Sequence, residues 1–262
     1  MAAKRTQRGF SLIELAISVT IIGVIISFIV TVKGVMDDSK LKGIIADITY
    51  YQTSFTNFRN TYKSFPGDMA NATDYWSTTC ATVISCNGNG NGVIEYIYAS
   101  SNSSELERAW KHLELGHVIK NGFAITTQNR SGLELAVSAP ASAFPNTGYT
   151  IVGGTNIGGI TGSFITSPFT SNINAIYVGA SSGNIARSFD MGGLTASQAF
   201  YLDTKFDDGT INSGNATGNT TGALRTIAGY GSLGNDCITS GGYYNTTEND
   251  IPSCVVGVQL HD

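Results

Sequence analysis

Three patterns of hydrophobic and polar positions divide the chain. From Phe10 to Val32 apolar residues crowd every face of a helix, and Glu14 is the only charge. From Leu41 onward the apolar positions Leu41, Ile44, Ile45, Ile48, Phe55, Phe58 and Tyr62 keep helical spacing, and no proline precedes Pro66. The pattern predicts one helix from about Phe10 to about Tyr62, ~80 Å long at the standard rise. It is apolar all round in its first half and amphipathic in its second, so a globular head should pack on that second half. Gly23 and Gly34 are its intrinsically weak points, each costing ~1 kcal/mol against alanine.

Phe65-Pro66-Gly67-Asp68 is a turn signature that ends the helix, and the pattern changes after it. Ser104-x-x-Glu107 predicts a capped short helix bearing Leu106, Ala109, Trp110 and Leu113, with Gly116 as its stop. Thr195-x-x-Gln198 predicts a second through Phe200 and Tyr201, ended by Asp207-Asp208-Gly209. From Leu135 to Ala186 there is no Asp, Glu, Lys or Arg, and apolar runs such as Ile173–Val178 recur among Ser, Thr, Gly and Asn. Short strands joined by glycine turns follow from that pattern. The fold class is therefore α+β, a long N-terminal spine helix against a β-rich head.

Composition sharpens the compartment. The 262 residues are 13% charged, against the usual ~25%. Hydrophobic residues at 42% and aromatic ones at 10% are enough for a core, so the chain is not disordered throughout. A net charge of −4, with the one basic cluster (Lys4, Arg5, Arg8) at the N-terminus, gives no nucleic-acid footprint. That basic flank should stay cytoplasmic, leaving everything after Val32 on the far side of a membrane. The apolar stretch is long enough to span a ~30 Å bilayer core and longer than an ordinary secretory signal.

A glutamate inside such a segment costs about 2.5–3.5 kcal/mol at the midplane, less near an interface, so it calls for a reason. The stretch Arg8-Gly9-Phe10-Ser11-Leu12-Ile13-Glu14 resembles the processing signal of the type IV prepilin and pseudopilin family. The resemblance implies cleavage between Gly9 and Phe10 by a membrane-embedded prepilin peptidase, and methylation of the new Phe10 amine. It divides the chain into a leader at 1–9, a spine at 10–64 with a transmembrane segment at 10–32, and a head at 65–262. It implies anchorage in a bacterial inner membrane with the head in the periplasm. Assembly with other pilin or pseudopilin subunits on an inner-membrane platform, into a pilus or pseudopilus, would follow. In the family the acid matching Glu14 pairs with a neighbour's N-terminal amine, and Phe10 and Glu14 would be the assembly residues. Pairing offsets the desolvation of both charges. Many major pilins carry a kinking proline in the spine, and this chain has none there. A different class of function on the same N-terminus would be a pilus-delivered adhesin or uptake protein.

The order Pro-Gly-Asp, Asn71-Ala-Thr-x-Tyr-Trp76, a Gly/Asn-rich loop, Trp110-Lys-His-Leu and Asp203-x-Lys-x-Asp-Asp-Gly209 is also similar to a proteobacterial group of prepilin-like proteins.

Four cysteines in a translocated domain point to disulfides, and proximity favours Cys80–Cys86 and Cys237–Cys254. The second closes a loop worth about 3 kcal/mol in the chain-entropy model. A disulfide-bounded loop near the C-terminus resembles the variable surface region of many type IV pilins, making Tyr243 and Tyr244 candidate contact residues. Zinc is disfavoured, because no CxxC spacing occurs and the three histidines are scattered. Asn87, Asn89, Asn91 and Glu95 match the first half of an EF-hand-like loop, which makes calcium a candidate cofactor. Asparagine stands where aspartate is usual, and the closing position is Tyr98, so such a site would bind weakly. Gly179-Ala-Ser181-Ser-Gly183 satisfies G-x-S-x-G, but no helix pattern follows it and His261 is the penultimate residue, so no enzyme is expected.

Overall fold

The computed structural model describes residues 11–77, 86–96, 104–120, 122–123, 133–154, 156–160, 163–166, 168–169, 173–183, 187–206, 224–229, 236–239, 243–247 and 251–260. The leader, Gly9, Phe10, Cys80, Tyr98, Asp207, Asp208, Gly209 and His261 lie outside the described residues. The chain divides into two compact units, Met1–Lys42 and Gly43–Asp262.

In the first unit the described residues belong to helix α1, which runs Leu12–Tyr62 and continues into the second. Its large apolar side chains point outward on all sides, from Leu12 at 88% exposure to Phe28 at 68%. Its hydroxyls turn inward instead: Ser18 Oγ donates to the Glu14 carbonyl at 2.7 Å, and Thr20 Oγ1 to the Ala16 carbonyl at 2.7 Å. Among the described residues no helix is long and apolar enough to cross a membrane. The apolar run in the sequence, Phe10–Val32, extends past the side chains described there at both ends.

The second unit is a mixed helix-and-sheet fold. Strands β1 (Thr147–Val152), β4 (Ala175–Ala180), β6 (Cys254–Gln259) and β5 (Leu224–Ala228) form one antiparallel sheet in the order β1-β4-β6-β5. Strands β2 (Asn156–Ile160) and β3 (Ser163–Thr166) pair as a separate two-stranded ribbon. The uncharged stretch thus supplies four strands, because its β-branched and aromatic residues suit a sheet buried on both faces. Tyr177 of β4 stands opposite Gly257 of β6, where a Cβ would lie 2.5 Å from its ring. A side chain at position 257 would force the buried Tyr177 ring to move.

Ile44, Ile48, Phe55 and Phe58 of α1, predicted from their spacing, are buried in this unit together with Tyr51, while Ile45 and Tyr62 are half-buried. Tyr51 makes edge contacts with Trp110 at 4.9 Å and with Tyr149 of β1 at 5.1 Å. The Tyr149 hydroxyl donates to Asp47 Oδ2 at 2.7 Å, and burial beside that carboxylate pushes its pKa well above the ordinary phenol value. The helix stops at Lys63, whose left-handed φ of 56° breaks the ladder just before the Pro66-Gly67 turn.

Among the described residues three short helices follow: α2 (Ala72–Trp76), α3 (Glu105–Leu115) and α4 (Ala196–Phe206). Thr195 and Gln198 form the predicted capping box before α4: the Thr195 N–H donates to Gln198 Oε1 at 3.0 Å and the Gln198 N–H to Thr195 Oγ1 at 3.2 Å. Thr195→Ala should cost about 1 kcal/mol, read as a small fall in the thermal midpoint. The other expected box does not form. Ser104 does precede α3, but its hydroxyl donates to the Glu95 carbonyl at 3.1 Å and caps nothing. A long-range partner has taken the hydroxyl that local spacing assigned to the helix.

Candidate functional site

Two places concentrate chemistry. The first is the start of α1. The Ser11 N–H donates to Glu14 Oε2 at 2.9 Å, so the acid folds back on the opening turn of its own helix. That geometry satisfies an N–H that has no intrahelical acceptor, and it sets a negative charge at the positive end of the helix dipole. Around Glu14 every described neighbour on the helix is uncharged, and the large apolar ones are exposed.

The second is a polar interior in the Gly43–Asp262 unit, where the Pro-Gly-Asp turn, the Gly/Asn loop at 86–96 and α3 meet. Asp68, 2% exposed, is wrapped by that loop. Its Oδ1 accepts from Gly90 N–H at 2.7 Å and Asn91 N–H at 3.0 Å, and its Oδ2 from Gly92 N–H at 2.8 Å. Glu105, 4% exposed, accepts from Asn89 N–H and Glu95 N–H, each at 3.0 Å. Burial raises both acids. Glu105 reaches about 7, because desolvation outweighs its two N–H bonds and the Asp68 and Glu95 carboxylates add repulsion. Asp68 moves the same way, with three backbone bonds opposing.

His112 of α3 is fully buried. Its Nδ1 accepts from Gly67 N–H at 2.9 Å, which leaves the proton on Nε2 to donate to the Cys86 carbonyl at 2.9 Å. Burial pushes its pKa down to about 4, so the ring is neutral. Gly67, at φ 90°, passes so close to α3 that a Cβ would lie 2.5 Å from the Glu105 carbonyl oxygen. The Pro-Gly-Asp and Trp-Lys-His-Leu motifs are therefore halves of one hydrogen-bonded junction.

The candidate calcium residues sit in this loop, each engaged with a protein donor. Asn87 Oδ1 accepts from Thr73 N–H, Asn89 Oδ1 from Asn91 N–H and Asn91 Oδ1 from Val93 N–H, all at 2.9 Å. Glu95 Oε2 accepts from Asn89 Nδ2 at 2.8 Å and from Asn91 Nδ2 at 3.2 Å. The loop turns N–H groups toward carboxylates, the polarity of an anion cradle and the reverse of a cation cage. Among the described residues no group of three or more His, Cys, Asp or Glu side chains is placed to hold a metal ion.

Cys237 and Cys254 are joined in a disulfide, and Cys86 is disulfide-bonded too, while the partner expected for it lies outside the described residues. The two tyrosines of the C-terminal loop part company. Tyr243 is 73% exposed. Tyr244 turns its hydroxyl inward, within 2.9 Å of Asp203 Oδ2 and 2.8 Å of Thr226 Oγ1, with its ring edge-on to Phe200 at 5.5 Å. Ser181 follows β4, its Oγ accepting from Gly183 N–H at 3.1 Å, and the next helix among the described residues is α4, which begins at Ala196.

Residues 4–30 match the family model of the prokaryotic N-terminal methylation motif. The chain thus carries the prepilin-type signature, which marks proteins of the type IV pilin and pseudopilin class. The motif implies processing by prepilin peptidase, pilin-type assembly and association with a membrane in general terms. No curated protein and no solved structure matches the chain.

Proposed function

We propose that the chain is a structural subunit of a type IV pilus or a type II secretion pseudopilus, and not an enzyme. Prepilin peptidase cuts after Gly9 and Phe10 is N-methylated. Phe10–Val32 then holds the subunit in the bacterial inner membrane with its head in the periplasm. An inner-membrane platform draws the subunit into a filament, where the apolar helices of neighbours pack together. The observation that carries this reading is Glu14 as the only charge from Phe10 to Val32, on a stretch of helix whose described large apolar side chains are exposed. Such a surface excludes water only against lipid or other copies, and the carboxylate then needs a cationic partner, which the Phe10 amine of a neighbour supplies.

Mass spectrometry of the processed chain should find a methylated N-terminus at Phe10; a start downstream of Val32 would sink the proposal. Glu14→Ala should still be cleaved and should give no filaments, and normal filaments from that variant would remove the pairing argument. The exposed Tyr243 on the disulfide-bounded loop favours a second reading, a pilus-delivered adhesin or uptake protein. Under that reading, deletion abolishes adherence or uptake and leaves filaments intact.

A further inference from the structure

Three Asn-Gly pairs follow one another at Asn87-Gly88, Asn89-Gly90 and Asn91-Gly92. Asn-Gly is the pair most prone to deamidation, because glycine places no side chain in the way of its own amide nitrogen. In that reaction the glycine nitrogen loses its proton and bonds to the asparagine Cγ. The Cγ–Nδ2 bond then breaks, ammonia leaves, and water opens the cyclic imide to aspartate or isoaspartate; nothing is oxidised or reduced. The attack needs a glycine N–H released from its acceptor and a Cγ able to swing toward it.

This loop withholds both. Gly90 N–H donates to Asp68 Oδ1 at 2.7 Å and to the Asp68 carbonyl at 2.9 Å, and Gly92 N–H to Asp68 Oδ2 at 2.8 Å. An N–H aimed at a carboxylate resists losing its proton, since the amide anion would face a negative charge. The side chains of Asn89 and Asn91 are pinned at both ends, Oδ1 on the N–H two residues on and Nδ2 on Glu95. Gly88 is held differently, its N–H donating to the Met69 carbonyl at 2.9 Å.

We propose that Asn89 and Asn91 are latent deamidation sites kept shut by the Asp68 carboxylate. Their opening is self-reinforcing. Deamidation at either position replaces an Nδ2 donor with a carboxylate oxygen facing Glu95, so an attractive contact becomes a repulsive one and the loop is pushed from its cradle.

The test ages the full chain at mildly alkaline pH, folded and denatured in parallel, and maps aspartate and isoaspartate by peptide mass spectrometry. Asn89 and Asn91 should deamidate more slowly in the folded chain by roughly a factor of ten or more, equivalent to at least about 1.4 kcal/mol of local opening free energy. Equal rates in the two states overturn the proposal. Asp68→Ala should accelerate Asn89 and Asn91 and leave Asn87 slow, and equal acceleration at all three sites in a folded variant overturns it too. Should Asp68→Ala not fold, hydrogen exchange at the Gly90 and Gly92 amides of the unaltered chain decides. Protection from exchange and slow deamidation should go together, and amides that are protected beside asparagines that deamidate freely overturn the proposal.

Discussion

His112→Leu is expected to destabilise the Gly43–Asp262 unit by about 2–5 kcal/mol, the sum of two orphaned buried groups. The leucine fills most of the imidazole's space, so packing is the smaller part of the loss. The larger part is polar: Gly67 N–H loses its acceptor and the Cys86 carbonyl its donor, where no water reaches. For a unit of this size each kcal/mol lowers the thermal midpoint by roughly 2–4 °C. Calorimetry on the full chain in detergent should show a fall of roughly 5–15 °C, with His112→Gln recovering part of it because an amide can both accept and donate. A leucine variant within a degree of the unaltered chain would mean that the imidazole only fills space.

The second large effect is in the pH dependence of stability, where two side chains on one helix act with opposite sign. Glu105 has a folded pKa of about 7, raised from the ordinary carboxylate value by burial, so the folded state holds its proton more tightly than the unfolded one. Its stabilisation is fully present below the unfolded value near 4.5 and is lost as pH rises through 7. His112 has a folded pKa of about 4, lowered by burial, so here the unfolded state binds the proton first. Its stabilisation is present above 6.5 and is lost as pH falls through 4. Between about 4.5 and 6.5 the two slopes oppose one another, and Asp68, raised in the same direction as Glu105, adds to its side. The unaltered chain should therefore show a urea midpoint that varies less across that window than the His112 contribution by itself would give. Glu105→Gln should shift the pH dependence toward a decline between pH 6.5 and pH 4, with about 3 kcal/mol as the limit set by His112 acting without opposition. Parallel curves for the two proteins would refute the opposition.

The helices and strands were largely legible in the chain because their causes are local. Ile44, Ile48, Phe55 and Phe58 announce a buried helical face by spacing alone, and the run Ile173–Val178 announces β4 by its branched side chains. Thr195 and Ser104 mark where locality ends. Both begin the same capping pattern, yet only Thr195 caps, because Ser104 is claimed by Glu95. The polar junction was visible only as motifs. Nothing in the spacing tells a buried Asp68 from a solvated turn acid, since its donors lie more than twenty residues downstream. His112 was similarly opaque, with a partner 45 residues away at Gly67. A calcium-like spacing of asparagines drew attention to the right loop, while the carboxylates it wraps come from Asp68 and Glu105.

The strand order has a consequence for how the protein is made. β6 is the last of the six described strands, yet it lies between β4 and β5 and completes both pairings. Until Cys254–Gln259 has emerged, β5 has no neighbour among the described strands and β4 leaves one hydrogen-bonding edge open. Under the proposed membrane topology, the head crosses with that edge open to other partly crossed copies until its final stretch arrives. The late arrival of β6 also delivers Cys254 to Cys237, so under that topology closing the sheet and sealing the disulfide fall together at the end of the crossing.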